Sequence, residues 1–546
     1  MRALTSGCGA GVQAPESTKG VMQHNLQLSI LARVGFCACP RERLRAPIKQ
    51  RGCAMEQFLD PALLARIQFA LVVIFHFMYV PLSIGMGLIL AINETRYYKS
   101  RDPKDAAATK FWAKIFTTTF AVGVASGITM EFSFGTNWAD YSRFVGDIFG
   151  APLAAEALLA FFLESVFLGI VLFGRGKVGP KFYLASAWLV WLGSCLSALW
   201  IIIANSWMQT PGGAELSADG SKAVLTDFFA AAFNATTLPR YSHTVLALLV
   251  MGAFVAIAVS AWYMHKGKHA EFARKTLRTG VAVSLVATCC LLVSAHSSAA
   301  VVTEEQPTKI AMMEGHYETG TLPLYAVGLV DEEGQSVIAP IELPGFTSFL
   351  ASGDFSKEYP GLNDLAAENS DIVVEDLPVN LVFQSYHLMV ALFGLICVVI
   401  LIAAIAAFKK NGKLGQKKWA QWIMIVCPIF PILAIQAGWI TAEVGRQPYV
   451  VYPATSSPEG VQLLTNNGVS ASVSSVELLI TIVLFIAVYA IILVAWARLI
   501  SGFIKKGPVE DLEGNIVDQD GAAAIAGASA PAAAASAASD SKKEAN

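Results

Sequence analysis

The sequence predicts an all-α polytopic membrane protein with nine transmembrane helices, on three observations. The 546 residues are 55% hydrophobic and 15% charged, with a mean hydropathy of +0.54. A water-soluble chain of this length carries more charge and shorter apolar runs. Nine stretches are apolar and long enough to cross a bilayer: 67–92, 113–134, 151–174, 182–206, 243–264, 279–302, 380–408, 419–441 and 475–503. Finally, the loops alternate in basic charge. The odd loops hold Arg96, Lys99, Arg101, Lys104 and Lys110, then Arg175, Lys177 and Lys181, then Lys266, Lys268, Arg274, Lys275 and Arg278, then Lys409, Lys410, Lys413, Lys417 and Lys418. The even loops hold only Arg143, then Lys222 and Arg240, then Lys309 and Lys357, then Arg446. The positive-inside rule then places the start of the first span outside and the C-terminus in the cytoplasm.

Residues 1–54 do not match the rest of the chain. They are of mixed polarity, with no hydrophobic block placed like a signal peptide. Met55-Glu56-Gln57-Phe58 reads as a natural start, and the leader is expected to be disordered or not native. Spans one to six fill 55–302, and the acidic loop 303–379 is the one large extracytoplasmic segment. Spans seven to nine fill 380–504. Residues 505–546 form an Ala-rich tail of low complexity. Near-zero net charge gives no reason to expect nucleic acid as a partner. The nine cysteines form no C-x-x-C, which leaves no zinc ribbon, thioredoxin-like motif or covalent c-type haem site. Cys195, Cys289, Cys290, Cys397 and Cys427 lie in apolar runs and read as small core residues.

Ionisable residues inside spans are expensive and point to function. His76 lies in the first span. Glu156 and Glu164 lie in the third, about 80° apart round a regular helix and about 12 Å apart along it. His243 opens the fifth span, His387 and Met389 lie early in the seventh, and Glu443 and Arg446 close the eighth. Each alone has a bland reading: a bonded packing histidine, a core methionine, a solvated glutamate, an i,i+3 surface ion pair. Their expected gathering toward the outer surface favours chemistry. Imidazole with thioether suits haem iron, and buried carboxylates suit proton delivery. The pattern by itself reaches a multi-haem or proton-coupled membrane protein. His387 and Met389 are about 200° apart on a helix, so only one can face a given haem.

Specific motifs carry the reading further. FHFMYVPLSIGMG, GITMEFSFGTNWADYSRFVGDIFGAPLAAEALLAFFLES, LSALWIIIANSWMQTP, HTVLA, EEQPTKIAMMEGHYET and GWITAEVGRQPYV occur in this order. From about 56 to 503 the chain resembles subunit I of the cytochrome bd-type quinol oxidases, of the short quinol-loop type. The resemblance implies haem b558, haem b595 and haem d, with quinol oxidised and O2 reduced to water. It implies His243 and Met389 as axial ligands of b558, and His76 and Glu443 as ligands in the b595–d site without saying which serves which. Glu156 and Glu164 match carboxylates beside that site, with Glu156 also placed to act as an alternative iron ligand. Lys309 and Glu314 match quinol-binding residues, and Arg446 offsets the charge of propionates or of Glu443. One departure is His387, where the family usually has Arg. It implies a lower or more pH-dependent b558 potential, and leaves open a ligand set of two histidines.

The implied mechanism needs no separate pump. Quinol docks outside at Lys309 and Glu314 and releases its protons there. Protons for O2 reduction come from the cytoplasm along a path that includes Glu164 and Ser197, and the separation generates proton motive force. The implied setting is the lipid bilayer of a bacterial cytoplasmic membrane, with cytochrome bd subunit II and small single-span subunits as partners. Two other classes compete: a proton-coupled transporter, and a haem-bearing quinol dehydrogenase module without oxygen chemistry. The sequence shows no internal repeat of the kind transporters carry.

Overall fold

The computed structural model describes residues 60–409 and 413–508. The leader 1–54 and the tail beyond residue 508 lie outside the described residues. Among the described residues, nine helical spans are long and apolar enough to cross a membrane: Pro61–Ser100, Pro103–Thr136, Ala139–Phe173, Pro180–Gln209, Thr237–Lys266, Ala270–Glu305, Val379–Phe408, Lys418–Val444 and Ser475–Lys506. They coincide with the predicted stretches and extend most of them, because capped polar turns carry the helices past the apolar run.

Local sequence sets the ends and breaks. Asp102 caps the second span by accepting from Lys104 N, with Pro103 in the first turn. Ser474 and Glu477 form a reciprocal capping box at the start of the ninth. Gly267 ends the fifth in the left-handed conformation, at φ 65°. The first span is interrupted between His76 and Val80. Pro81 has no N–H to give the Phe77 carbonyl. Pro428 and Pro431 similarly accompany the break between Lys418–Val426 and Ile429–Val444.

The main core lies between the first, second, fourth and fifth spans, around Met86, Trp112, Phe116, Val190, Leu248 and Met251. At its centre the first and fifth spans touch backbone to backbone. A Cβ on Gly252 would lie 2.2 Å from the carbonyl carbon of Gly85. The third and ninth spans bury little of themselves and turn apolar faces outward. Cys195 and Cys427 are buried as expected, but Cys289, Cys290 and Cys397 are exposed on outward faces rather than packed in a core.

The 303–379 segment is folded rather than disordered. It holds the short helix Pro307–Glu314, a hairpin of Leu324–Asp331 with Ser336–Leu343, and the helices Phe346–Ser352 and Leu362–Glu368. It meets the segment after the eighth span where Asn369 Nδ2 donates to the Tyr449 hydroxyl (3.0 Å), which donates to Asp371 Oδ2 (3.0 Å). This cap covers one end of the bundle, the loop end; the opposite end is the basic end.

Candidate functional site at the loop end

The chain's direction fixes the depth of each candidate residue. Glu443 and His243 lie within two turns of the loop end, and His387 and Met389 follow about a turn deeper. Glu156 lies near the middle of its span, and Glu164 lies toward the basic end. Contacts set the depth of His76: Gln436 Nε2 donates to the Ile74 carbonyl and Phe77 packs on Trp439, level with Gly438, against which Met389 lies. His76 and Met389 are thus within about two turns of Glu443 in depth, and the third-span carboxylates continue toward the basic end.

Glu443 sits in a dense charge network. Its Oε2 pairs with Arg446 Nη2 at 2.7 Å. Its Oε1 accepts from Asn205 Nδ2 (3.0 Å) and Gln209 Nε2 (3.3 Å) and lies 3.8 Å from Arg240 Nη2. Arg240 also donates to Asn205 Oδ1, and Arg446 Nη1 to the Val450 carbonyl at 2.6 Å. Lys309 joins from the short helix, donating to Gln209 Oε1 and to Gln306 Oε1 (2.8 Å). Sequence reasoning counted Arg240 only as an outer-loop cation and passed over Asn205, Gln209 and Gln306. The signal for Arg240 was its place one helical turn before His243.

Lys309 and Glu314 are not brought together. They are five residues apart on one short helix and point to different surroundings. Glu314 accepts from Thr347 Oγ1 at 2.9 Å and has its Oε2 3.6 Å from His387 Nε2. Both of those facing atoms are buried and without a hydrogen-bond partner. His387 donates Nδ1–H to the Phe383 carbonyl at 2.8 Å and lies among the rings of Phe383, Tyr325 and Tyr386. Both its nitrogens are thus directed at Phe383 and Glu314, which does not favour the two-histidine ligand set. Burial pushes the Glu314 carboxyl up, against the opposing influence of the nearby His387 ring. Burial and the neighbouring Arg240 push the Lys309 ammonium well down.

His76 Nδ1 lies 2.9 Å from Ser126 Oγ, whose own proton goes to the Val122 or Gly123 carbonyl. The serine oxygen therefore accepts from Nδ1–H, and the imidazole lone pair is left on Nε2. His243 Nδ1 has Ser294 Oγ at 3.5 Å, a weak contact. Met389 Sδ lies against Gly438 of the eighth span, 2.9 Å from where a Cβ would stand. No hydrogen bond or ion pair joins His243 to Met389, or His76 to Glu443, among the described residues. Nor do three His, Cys, Asp or Glu side chains gather to hold a bare ion there. Single imidazole, thioether and carboxylate donors on separate helices suit axial ligation of porphyrin iron. Buried guanidinium nitrogens without partners, Nε of Arg240 and of Arg446, suit the anionic edge of such a group.

The third span departs from regular helix at Glu156–Phe161, a π turn following Pro152. The wider turn brings Glu156 and Glu164 closer to one face than the 80° expected. Both meet the fourth span. Ser197 Oγ donates to Glu156 Oε1 at 2.8 Å, and Glu164 packs on Gly193, where a Cβ would stand 2.6 Å from its Cγ. Glu131, passed over in the sequence, lies in electrostatic range of Glu156 from the second span.

Comparison with known proteins supplies the family. The profile described as "Cytochrome bd terminal oxidase subunit I" matches residues 64–508. The chain is 37% identical over 460 residues to "Cytochrome bd ubiquinol oxidase subunit 1" of Bacillus subtilis, covering 83% of this chain and 95% of the relative. It is 32% identical over 506 residues to "Cytochrome bd-II ubiquinol oxidase subunit 1" of Escherichia coli, covering 82% and 96%. Its fold matches the bd oxidase of Geobacillus thermodenitrificans with a TM-score of 0.73 and 27% identity, over 82% of this chain and 99% of that one. The chain belongs to the cytochrome bd terminal oxidase subunit I family.

Proposed function

We propose that this multi-pass membrane protein is the catalytic subunit of a quinol:oxygen oxidoreductase of the bacterial cytoplasmic membrane. It oxidises quinol at the loop end, which faces outward, and reduces O2 to water with protons from the cytoplasm. The observation that carries the quinol reading is the facing pair of buried, unpartnered atoms, Glu314 Oε2 and His387 Nε2, beside the rings of Tyr325, Phe383 and Tyr386. A planar quinol ring suits these aromatic neighbours, and its hydroxyl suits the two polar atoms. Glu314, held by Thr347, accepts the quinol proton. Lys309 is the second residue the resemblance assigns to quinol, on the same short helix but turned toward Glu443.

Haem, when bound, carries the quinol electrons and reduces oxygen. His243 and Met389 would hold haem b558, while His76 and Glu443 would serve b595 and d. Ser126 fixes the His76 tautomer, and Arg446 holds the charge of Glu443. Glu164, packed on Gly193, and the Glu156–Ser197 bond form two steps of a proton path from the basic end. The outward apolar faces, widest on the third and ninth spans, suit lipid, a second membrane subunit and small single-span subunits.

The optical spectrum of the reduced, purified protein tests the reading, followed by oxygen uptake with quinol. A chlorin band at long red wavelength is expected. Bands of b type alone, without oxygen uptake, would replace the oxidase with an electron-relay module. A colourless protein would refute haem binding.

A further inference from the structure

We infer that the hairpin of Leu324–Asp331 with Ser336–Leu343 lies against the bilayer, its outward face seated in phospholipid of the leaflet at the loop end.

The hairpin has two unlike faces. The ladder pairs Val327 with Ile341, Leu329 with Ile338 and Leu324 with Leu343. Val327, Leu329, Ile338, Ile341 and Leu343 are each more than half exposed, so these cross-strand neighbours make one aliphatic patch. The opposite face is packed. Val330 is buried, and a Cβ on Gly328 would stand 3.1 Å from Phe383 Cζ of the seventh span. Charge is kept off the outward face. On the two strands it is confined to Asp331, at the turn, and Glu342, which is paired with Tyr325 of the inner face.

Contacts with the seventh span set the depth. At its outermost turn Asn380 N donates to Glu332 Oε1 at 2.8 Å. One turn deeper, Gln384 Nε2 donates to the Gly328 carbonyl at 2.9 Å. Deeper again, the Tyr325 ring lies 5.9 Å from that of His387. Asn380 and His387 are about 10 Å apart along the helix axis. The acidic turn is therefore uppermost, and the strands descend beside the span by about as much as an interfacial amphipathic segment enters a membrane, roughly 5–10 Å. Leu381, Leu388 and Leu395 are exposed on the same span, within about 60° of Gln384 round the helix. This lipid-facing strip adjoins the hairpin, whose outward face continues it. Protein interfaces are anchored by aromatic and arginine side chains. The patch is aliphatic throughout, which suits acyl chains.

The inner face holds Tyr325 against Phe383 and His387. Lipid on one side of the hairpin thus steadies the pocket on the other, a consequence that rests on the proposed quinol reading.

The test places a photocrosslinking benzophenone amino acid at Ile338, or at Glu333 in the turn as control. The full complex is irradiated in liposomes of phosphatidylethanolamine and phosphatidylglycerol, and adducts are identified by mass. Phospholipid adducts are expected at Ile338 and several-fold fewer at Glu333. Adducts to a polypeptide at Ile338, whether another subunit or a second copy of this chain, would overturn the inference. So would equal lipid labelling at the two positions. If the Ile338 probe prevents accumulation, its cross-strand neighbour Leu329 takes the same probe with the same outcomes. Ile338→Asp should raise quinol KM several-fold in these liposomes with the haem spectrum unchanged, while Ile338→Leu should not. An unchanged KM in Ile338→Asp would overturn the link to the pocket. Wild-type complex that oxidises no quinol would sink the functional reading and leave the lipid contact to be decided by the adducts.

Discussion

Replacing Gly252 by alanine should loosen the crossing of the first and fifth spans. The added Cβ would meet Gly85 C at 2.2 Å, Cα at 2.3 Å and O at 2.6 Å. Carbon contacts are comfortable from about 3.5 Å, so the helices must part by roughly 1 Å. The obstacle is backbone, which cannot rotate aside as a side chain could. Overpacking of this kind costs about 1–3 kcal/mol, and a rigid target puts it toward the upper end. Alanine returns at most about 1 kcal/mol of helix propensity. Gly394→Ala is the control, because nothing lies within 4 Å of a Cβ there. Thermal unfolding of the purified protein in detergent should show a midpoint several degrees lower for Gly252→Ala and no loss for Gly394→Ala. Equal midpoints for the two variants would refute the claim that this contact sets the helix spacing.

Four further outcomes are expected. Burial raises the Glu314 carboxyl, and only its ionised form accepts a proton. Quinol kcat/KM should therefore fall, as pH drops, at a higher pH than the usual glutamate value of about 4.3; Glu314→Gln should lower the rate and flatten that limb. Ser197→Ala removes the bond to Glu156 (2.8 Å), worth about 1 kcal/mol, and should slow proton uptake several-fold in liposomes with haem content unchanged. Ser126→Ala frees the His76 ring; loss of such an orienting partner weakens metal ligation about 10–100-fold, visible as lower occupancy or an altered high-spin spectrum. His387→Ala should keep a low-spin b-type spectrum, since the ring faces Phe383 and Glu314; loss of that spectrum would make His387 a ligand.

The nine spans were legible because a bilayer demands long apolar runs, and each run is written in adjacent residues. The site was legible only in its parts. His76, Glu156, Glu443 and Arg446 announce themselves as polar groups in apolar surroundings. What they touch depends on helix rotation, which prolines and the π turn alter. Regular geometry therefore misjudged Glu156 and Glu164, and residue spacing could not show which way His387 faced. Lys309 and Glu314 read as one pair because they are neighbours in sequence, yet five residues on a helix turn them apart. Arg240 was hidden for another reason: a basic residue at a span's end is the ordinary mark of topology, and only burial distinguishes it.

The wide turn at Glu156–Phe161 gives the third span a length-dependent alignment. Deleting one residue there would restore the ordinary ladder and swing Glu156 by about 100° relative to the far half of its helix. The Ser197 contact of Glu156 could then survive only at the expense of the packing of Glu164 on Gly193. Two acids that both reach the fourth span thus depend on a single surplus residue, and a change in chain length at this point would uncouple them although every side chain was retained.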